Sequence, residues 1–189
     1  MRLLLHVCCG PCAIYPVGVL REQEVEVMGF FYRNNIHPYT ECLRRQQTLE
    51  HYADDIALKV IIADDYDMEG FLRNVVFRES QRCLFCYRER LRNTALVAKR
   101  GRFDAFSTTL LYSKFQKHDT IRTIGEAVAE ETGVPFHYQD FRVGWKAGIT
   151  ASKQLGMYRQ QYCGCIYSEK ERYFGSSNAK TDGPQQATH

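Results

Sequence analysis

Seven of the eight cysteines in this 189-residue chain fall into three tight groups. They are Cys8, Cys9 and Cys12 in HVCCGPC, Cys83 and Cys86 in RCLFCYRER, and Cys163 and Cys165 in YCGC. Thiolates at such spacing face one ion or cluster with little loop ordering, so the pattern points to metal or redox chemistry. The competing reading is a disulfide framework, and three features oppose it. MRLLLHV is too short for a secretion signal and runs straight into a polar turn. Bridged frameworks belong to small secreted domains, whereas this chain is 44% hydrophobic and long enough to bury an ordinary core. Adjacent cysteines such as Cys8 and Cys9 also make strained bridges.

Apolar periodicity places short strands near 2–7, 25–33, 59–63, 103–107 and 135–138. Helices are expected near 12–21, 39–58, 68–77, 83–99, 116–132 and 150–157. Strands alternating with helices in this way make βαβ units. The expectation is one α/β domain over residues 1–174, with a Rossmann-like parallel sheet of about five strands flanked by helices. The last fifteen residues, 175–189, are small and polar and read as a disordered tail. No apolar run approaches the ~20 residues of a membrane span, so a soluble, cytoplasmic protein is expected. Ligands of such sheets bind beyond the carboxyl ends of the strands. The first cysteine group, Asn34 to His37, and Thr108-Thr109 all follow strand ends.

Cys8 and Cys9 with Cys83 and Cys86 supply the four thiolates of a [4Fe–4S] cluster, and the same count suits a structural zinc. Cys12, Cys163 and Cys165 remain. Cys163 and Cys165 make a small, strained and easily reduced ring if bridged, which suits an electron relay. Alternatively, the three thiols hold a second, mononuclear metal. Cys42 stands alone in a charged helix and reads as incidental. His37 precedes Pro38 at a strand end and either lines the site or caps the turn. Asp119 is either an acid or carboxylate ligand, or a helix cap. Net charge is only +3, but eight Lys or Arg lie between Arg78 and Arg102 against two acids. That segment is either an anion-binding face or a solvated one.

HVCCGPC, Tyr32-x-Asn-Asn-Ile-His-Pro38, Cys83-x-x-Cys86-Tyr-x-x-Arg90, Ser107-Thr-Thr-Leu-Leu-Tyr-Ser113, Asp140-Phe-Arg142 and Tyr158-Arg-Gln-Gln-Tyr-Cys-Gly-Cys165 occur in this order. Together they resemble the epoxyqueuosine reductases of the QueH type, over about residues 2–170. The resemblance implies reduction of the epoxide of epoxyqueuosine to an alkene at the tRNA wobble position, the last step of queuosine synthesis, without cobalamin. It implies a [4Fe–4S] cluster on Cys8, Cys9, Cys83 and Cys86, and a fold close to the adenine nucleotide hydrolases. Cys163 and Cys165 would correspond to the family's C-x-C, as a redox pair or part of an adjacent iron site; Cys12 and Asp119 are added as catalytic candidates from the residues alone. The substrate would be a tRNA with a GUN anticodon carrying epoxyqueuosine, served by an unidentified electron donor. Asn34, Asn35, His37, Arg90, Arg142 and Arg159 are the candidate substrate-binding residues, and Arg88, Arg92 and Arg102 join Arg90 as candidate phosphate contacts. A zinc-stabilised RNA-binding protein without catalysis is the alternative. A thiolation enzyme of the ATP-pyrophosphatase type is disfavoured, because CCGPC replaces a Ser-Gly-Gly phosphate cradle.

Overall fold

A computed structural model describes residues 1–178. Leu3, Leu4 and Leu5 are wholly buried, as a strand covered on both faces requires. They place β1 (Arg2–His6) inside a parallel sheet. Helix α1 (Gly10–Glu22) has Pro11 in its first turn, where a fixed φ and a missing N–H cost nothing. It leads to β2 (Glu26–Phe31), α2 (Tyr39–Asp55) and β3 (Val60–Ile62). Helix α3 (Met68–Val75) is capped by Asp67, which accepts from the Gly70 N–H at 2.8 Å. Then come α4 (Arg82–Arg100), β4 (Ala105–Thr108), α5 (His118–Thr132), α6 (Trp145–Gln154) and α7 (Ile166–Asn178). Single 3₁₀ turns follow β4 and precede α6.

The strand order is β3-β2-β1-β4, with every neighbouring pair parallel. The α/β class is as expected, with four strands. The segment read as a fifth strand, 135–138, touches β4 through one bridge, Phe106 to Phe136. Pro135 has no N–H with which to extend a ladder there. Helix α6 begins at Trp145, earlier than expected, and α7 was not anticipated. Residues 175–178 continue α7, and 179–189, the rest of the expected tail, lie outside the described residues. Tyr167 anchors the start of α7 in a small second core with Phe71, Val75, Phe85 and Cys165.

Because β2 and β4 lie on opposite sides of β1, the chain reverses its direction of travel between β1 and β4. The carboxyl ends of these two strands frame the crevice where open α/β sheets bind ligands. Cys8 leaves one strand there and Thr109 the other. The Cys8 N–H donates to Thr109 Oγ1 at 3.2 Å, and the Thr109 hydroxyl donates to Cys8 Sγ at 3.5 Å.

Candidate active site: a nest of thiols between two buried arginines

The Sγ atoms of Cys8, Cys9 and Cys12 all lie within 4.8 Å of one another and all three residues are buried. The tight turn at Gly10 makes this possible. A Cβ there would stand 3.0 Å from the Thr48 carbonyl oxygen of α2. Hydrogen bonds from the Cys12 and Cys9 thiols hold Cys8 well below the ordinary thiol range. Burial pushes Cys9 up, and sharing its proton with Cys8 pushes Cys12 up. Metal ligation requires thiolates, and Cys8 is the thiol of the nest biased toward that form.

Cys83 and Cys86 lie in the first turns of α4. Asn35 Nδ2 donates to Cys86 Sγ at 3.2 Å, and Arg90 Nε donates to the same sulfur at 3.4 Å. Cys163 and Cys165 are hydrogen-bonded to each other. That bond, with the Ser168 N–H at the start of α7 and the Arg82 charge, lowers Cys165 to about 5 and pushes Cys163 up. The charge of Cys165 is felt at Cys83, and that of Cys86 at Cys163. Thus all three sequence groups meet at the carboxyl edge of the sheet. Cys12 sits with Cys8 and Cys9, and Cys163 with Cys165. No three-thiol group of Cys12, Cys163 and Cys165 forms within 4.8 Å among the described residues.

Two guanidinium groups enclose the nest. Arg45 is 1% exposed and Arg90 2%. Arg45 pairs with Glu41 at 2.7 Å and donates to the Cys163 and Tyr162 carbonyls at 3.0 and 2.9 Å. Arg90 donates to Cys86, to His6 Nε2 at 3.2 Å and to the Asn35 carbonyl at 3.4 Å. Accepting from Arg90 makes His6 a neutral imidazole whose Nδ1–H points to Thr108 Oγ1, 2.9 Å away. Burial and the Arg90 charge lower its pKa to about 3. Buried charges need partners, and Glu41 matches only one of the two arginines. A thiolate at Cys8, in the field of both arginines, would supply the balance. Seven thiols and an excess of buried positive charge fit an anionic iron–sulfur group.

The segment 157–165 is a strap without regular structure, pinned at several points. The Tyr158 hydroxyl donates to Glu41 at 2.6 Å and the Tyr162 hydroxyl to the His37 carbonyl. The His37 N–H donates to the Gly164 carbonyl at 2.8 Å. Gly164 has a φ of +148° and passes between the arginines. A Cβ there would lie 3.0 Å from the Asn35 carbonyl oxygen and 3.4 and 3.5 Å from Arg90 and Arg45 nitrogens. Only glycine meets both demands. The strap, α1, α6 and the loop after β4 enclose a cavity of about 640 Å³, lined by Cys8, Cys12, Cys163, Arg159, Tyr112 and Trp145 among others. Gln160 Nε2 donates to Cys12 Sγ at 3.5 Å in its wall.

Several expected site residues play other parts. Arg90 cannot reach a phosphate. It is buried, and each of its three nitrogens donates inside the protein, to sulfur, imidazole and a carbonyl. Arg88 and Arg92 share the carboxylate of Glu131 at 2.7 Å each. His37 is 1% exposed, with Nε2 against the Asn34 carbonyl at 2.9 Å, so it pins the strap and does not face the cavity. Asn34 binds Asp65 and the Asp67 N–H, and Asn35 serves Cys86. Both line a separate polar cavity of about 270 Å³. Arg142 chelates Asp140, and Asp119 is exposed on the first turn of α5. Neither lines the thiol cavity. Arg159 does. Cys42 is buried apart, its thiol directed at the Arg33 carbonyl. Sequence reasoning missed Glu41, Arg45 and the role of His6. Their signal was a charged pair at i and i+4 on the same stripe of α2 as Leu49.

The family profile described as "Epoxyqueuosine reductase QueH" matches residues 3–171. A Dehalococcoides mccartyi protein named epoxyqueuosine reductase QueH is 38% identical over 178 residues, covering 94% of this chain and 97% of that protein. The Thermotoga maritima protein of the same name is 34% identical, covering 90% and 91%. Among solved structures, a predicted subunit of tRNA methyltransferase from Methanocaldococcus jannaschii superposes with a TM-score of 0.51 at 9% identity, over 80% of this chain and 74% of that one. That likeness concerns the fold alone.

Proposed function

The chain belongs to the epoxyqueuosine reductase QueH family, and on that premise we propose that it reduces epoxyqueuosine in tRNA to queuosine. The observation that carries the reading is the meeting of three cysteine groups beside one cavity, with Cys8, Cys12 and Cys163 in its wall. Cys8, Cys9, Cys83 and Cys86 would hold a [4Fe–4S] cluster, with Arg90 and Asn35 donating to the Cys86 sulfur. Such a cluster, when bound, supplies electrons one at a time.

Conversion of an epoxide to an alkene consumes two electrons and two protons and releases the oxygen as water. The Cys163/Cys165 pair holds both electrons and becomes a disulfide when they are spent; with Cys165 as the thiolate it carries one of the protons, on Cys163, and the second comes from solvent. Cys165, held as a thiolate, is the more reactive sulfur toward oxidation, while Cys163 retains its proton and faces the cavity. The disulfide then needs an external two-electron donor. Arg159 and Gln160 give the cavity donors for the substrate's hydroxyl oxygens, and the buried arginines keep the sulfur groups fixed while charge moves. The substrate would be a tRNA with a GUN anticodon, since epoxyqueuosine occupies the wobble position.

The test is nucleoside analysis of epoxyqueuosine tRNA after incubation with anaerobically prepared protein, together with iron and sulfide determination. Brown protein with about four of each per chain and appearance of queuosine are expected. A colourless zinc protein that binds tRNA and converts nothing would sink the reading in favour of a zinc-stabilised RNA-binding protein. Three thiols within 4.8 Å keep that second reading concrete.

A further inference from the structure

An unbroken series of aromatic rings runs from the core to the mouth of the thiol cavity. Tyr15 of α1 stacks on Tyr112 with ring centres 6.3 Å apart. Tyr112 meets Trp145 at 5.0 Å, and its hydroxyl donates to the Trp145 carbonyl at 3.1 Å. Trp145 then takes the edge of Phe115 at 5.6 Å, with the planes 81° apart. The series ends abruptly. Tyr112 is 1% exposed, but Phe115 is 85% exposed. A phenyl ring so exposed forgoes the benefit of burial, yet this one rests against Trp145, which is itself packed on Tyr112.

Its surroundings indicate what covers it. Phe115 lines the same cavity as Cys8, Cys12 and Cys163, as do Trp145, Gln116 and Arg159. Lys114 and Lys117 flank it in the chain. Both are exposed, and neither is in an ion pair among the described residues. The loop carrying these residues is fixed from the other side, where the Tyr87 hydroxyl donates to Gln116 Oε1 at 2.8 Å. A rigid aromatic ring between two free cations, at the rim of a cavity, has the makeup of a platform for an unpaired nucleobase. A protein partner would have no use for two adjacent unpaired lysines unless it were acidic. A strand of RNA answers both the ring and the charges.

We infer that Phe115 stacks on the base of the nucleotide next to the one that enters the cavity, while Lys114 and Lys117 meet the phosphates on either side. This rests on the proposed reduction of a tRNA nucleoside, and it specifies how that nucleoside is presented. The wobble nucleotide is splayed out of the anticodon loop and its neighbour is caught on Phe115. Phe115 is therefore a positioning residue. It touches RNA beside the reacting nucleoside, and Trp145 and Tyr112 act through it.

The experiment compares wild type with Phe115→Ala, Phe115→Leu and Phe115→Trp. The probe for binding is an anticodon stem–loop with guanosine at the wobble position and a fluorescent base analogue beside it. Turnover is read on the same stem–loop carrying epoxyqueuosine. Stacking onto aromatic rings predicts fluorescence quenching by wild type and Phe115→Trp, and loss of it with Ala and Leu. The two non-aromatic variants should raise KM about tenfold or more with kcat little changed. An abasic neighbour should weaken wild-type binding by a similar factor, and Phe115→Ala should then add nothing. Equal binding by all four proteins, or effects of Phe115→Ala and the abasic site that add in full, would overturn the inference. So would a change of oligomeric state in RNA-free Phe115→Ala, which would mark the ring as a self-association contact. Quenching that depends on Phe115 without any epoxide reduction leaves the platform standing and removes the proposed reaction. Reduction that ignores Phe115 does the reverse.

Discussion

Replacing Arg90 separates a structural cation from an RNA-binding one. In Arg90→Gln, Cys86 Sγ, His6 Nε2 and the Asn35 carbonyl lose donors at 3.4, 3.2 and 3.4 Å, with His6 and Asn35 almost wholly buried. The anionic sulfur around it loses the charge that balanced it. Removing one member of a buried charge arrangement costs about 3–5 kcal/mol. For a chain of this size each kcal/mol lowers Tm by about 2–4 °C, so a loss of roughly 6–20 °C is expected. Arg90→Lys should recover only part of it, since one ammonium cannot reach three acceptors disposed around a planar fork. Thermal unfolding of anaerobic protein measures the loss, and tRNA affinity across a salt series measures the alternative. An unchanged Tm with a salt slope reduced by about one would show that Arg90 reaches a phosphate, and the account of the buried cation would fail.

Gly164→Ala should leave the sheet intact but displace the strap, because a methyl group meets the Asn35 carbonyl and both arginines; kcat should fall at least tenfold (about 1.4 kcal/mol) with far-UV circular dichroism unchanged, and full activity would contradict the crowding. Ala57 holds φ +49° just past α2, so Ala57→Gly should raise stability by about 0.5–1 kcal/mol, read as a higher urea midpoint. His118 is buried with Nδ1 unpartnered, and burial first, then Arg142, lowers its pKa below the usual 6.5. The unfolded chain therefore binds a proton that the folded one refuses, and stability should decline as pH falls below about 6.5, by at most about 1.4 kcal/mol per pH unit from this group. In His118→Gln that part of the slope should vanish, and an identical slope would refute it. Cys163→Ser and Cys165→Ser should each keep the iron of the four-thiolate site while abolishing queuosine formation, which iron analysis and nucleoside digestion check together.

The alternation of Leu3–Leu5, Val25–Phe31 and Val60–Ile62 with helical stretches made the parallel sheet legible, because strand burial is written in runs of adjacent apolar residues. A strand end placed only the first cysteine group; Cys83 and Cys86 reach it on α4, and Cys163 and Cys165 on the strap. What surrounds them was less visible. Arg90 in a basic run reads like any solvated arginine, and only the burial of its helix face shows that it serves sulfur. His37 and Asn35 were read as polar groups open to substrate, yet the strap that covers them comes from residues more than a hundred positions later. Helix α7 was hidden because Ile166–Asn178 is polar by composition, and its order comes from Tyr167 and Cys165 docking on Phe71 and Val75. Phe115 shows the converse, since nothing in the sequence marks which aromatic residues leave the core, and this one is at the surface.

The central place of β1 governs how the molecule is made. A ribosome delivers the N-terminus first, so Cys8, Cys9 and Cys12 emerge before either neighbour of β1, and after β2 pairs one edge is still bare. That edge closes only when Ala105–Thr108 arrives, and Thr109 reaches Cys8 at the same moment. The outer wall waits longer still, until Tyr162 and Cys163 offer their carbonyls to Arg45. Throughout that interval the growing chain carries an open set of thiols and an arginine with only Glu41 beside it. Oxidants and stray metal ions have their best access then. A pause in translation between β4 and the strap would lengthen the exposure, and the finished fold ends it.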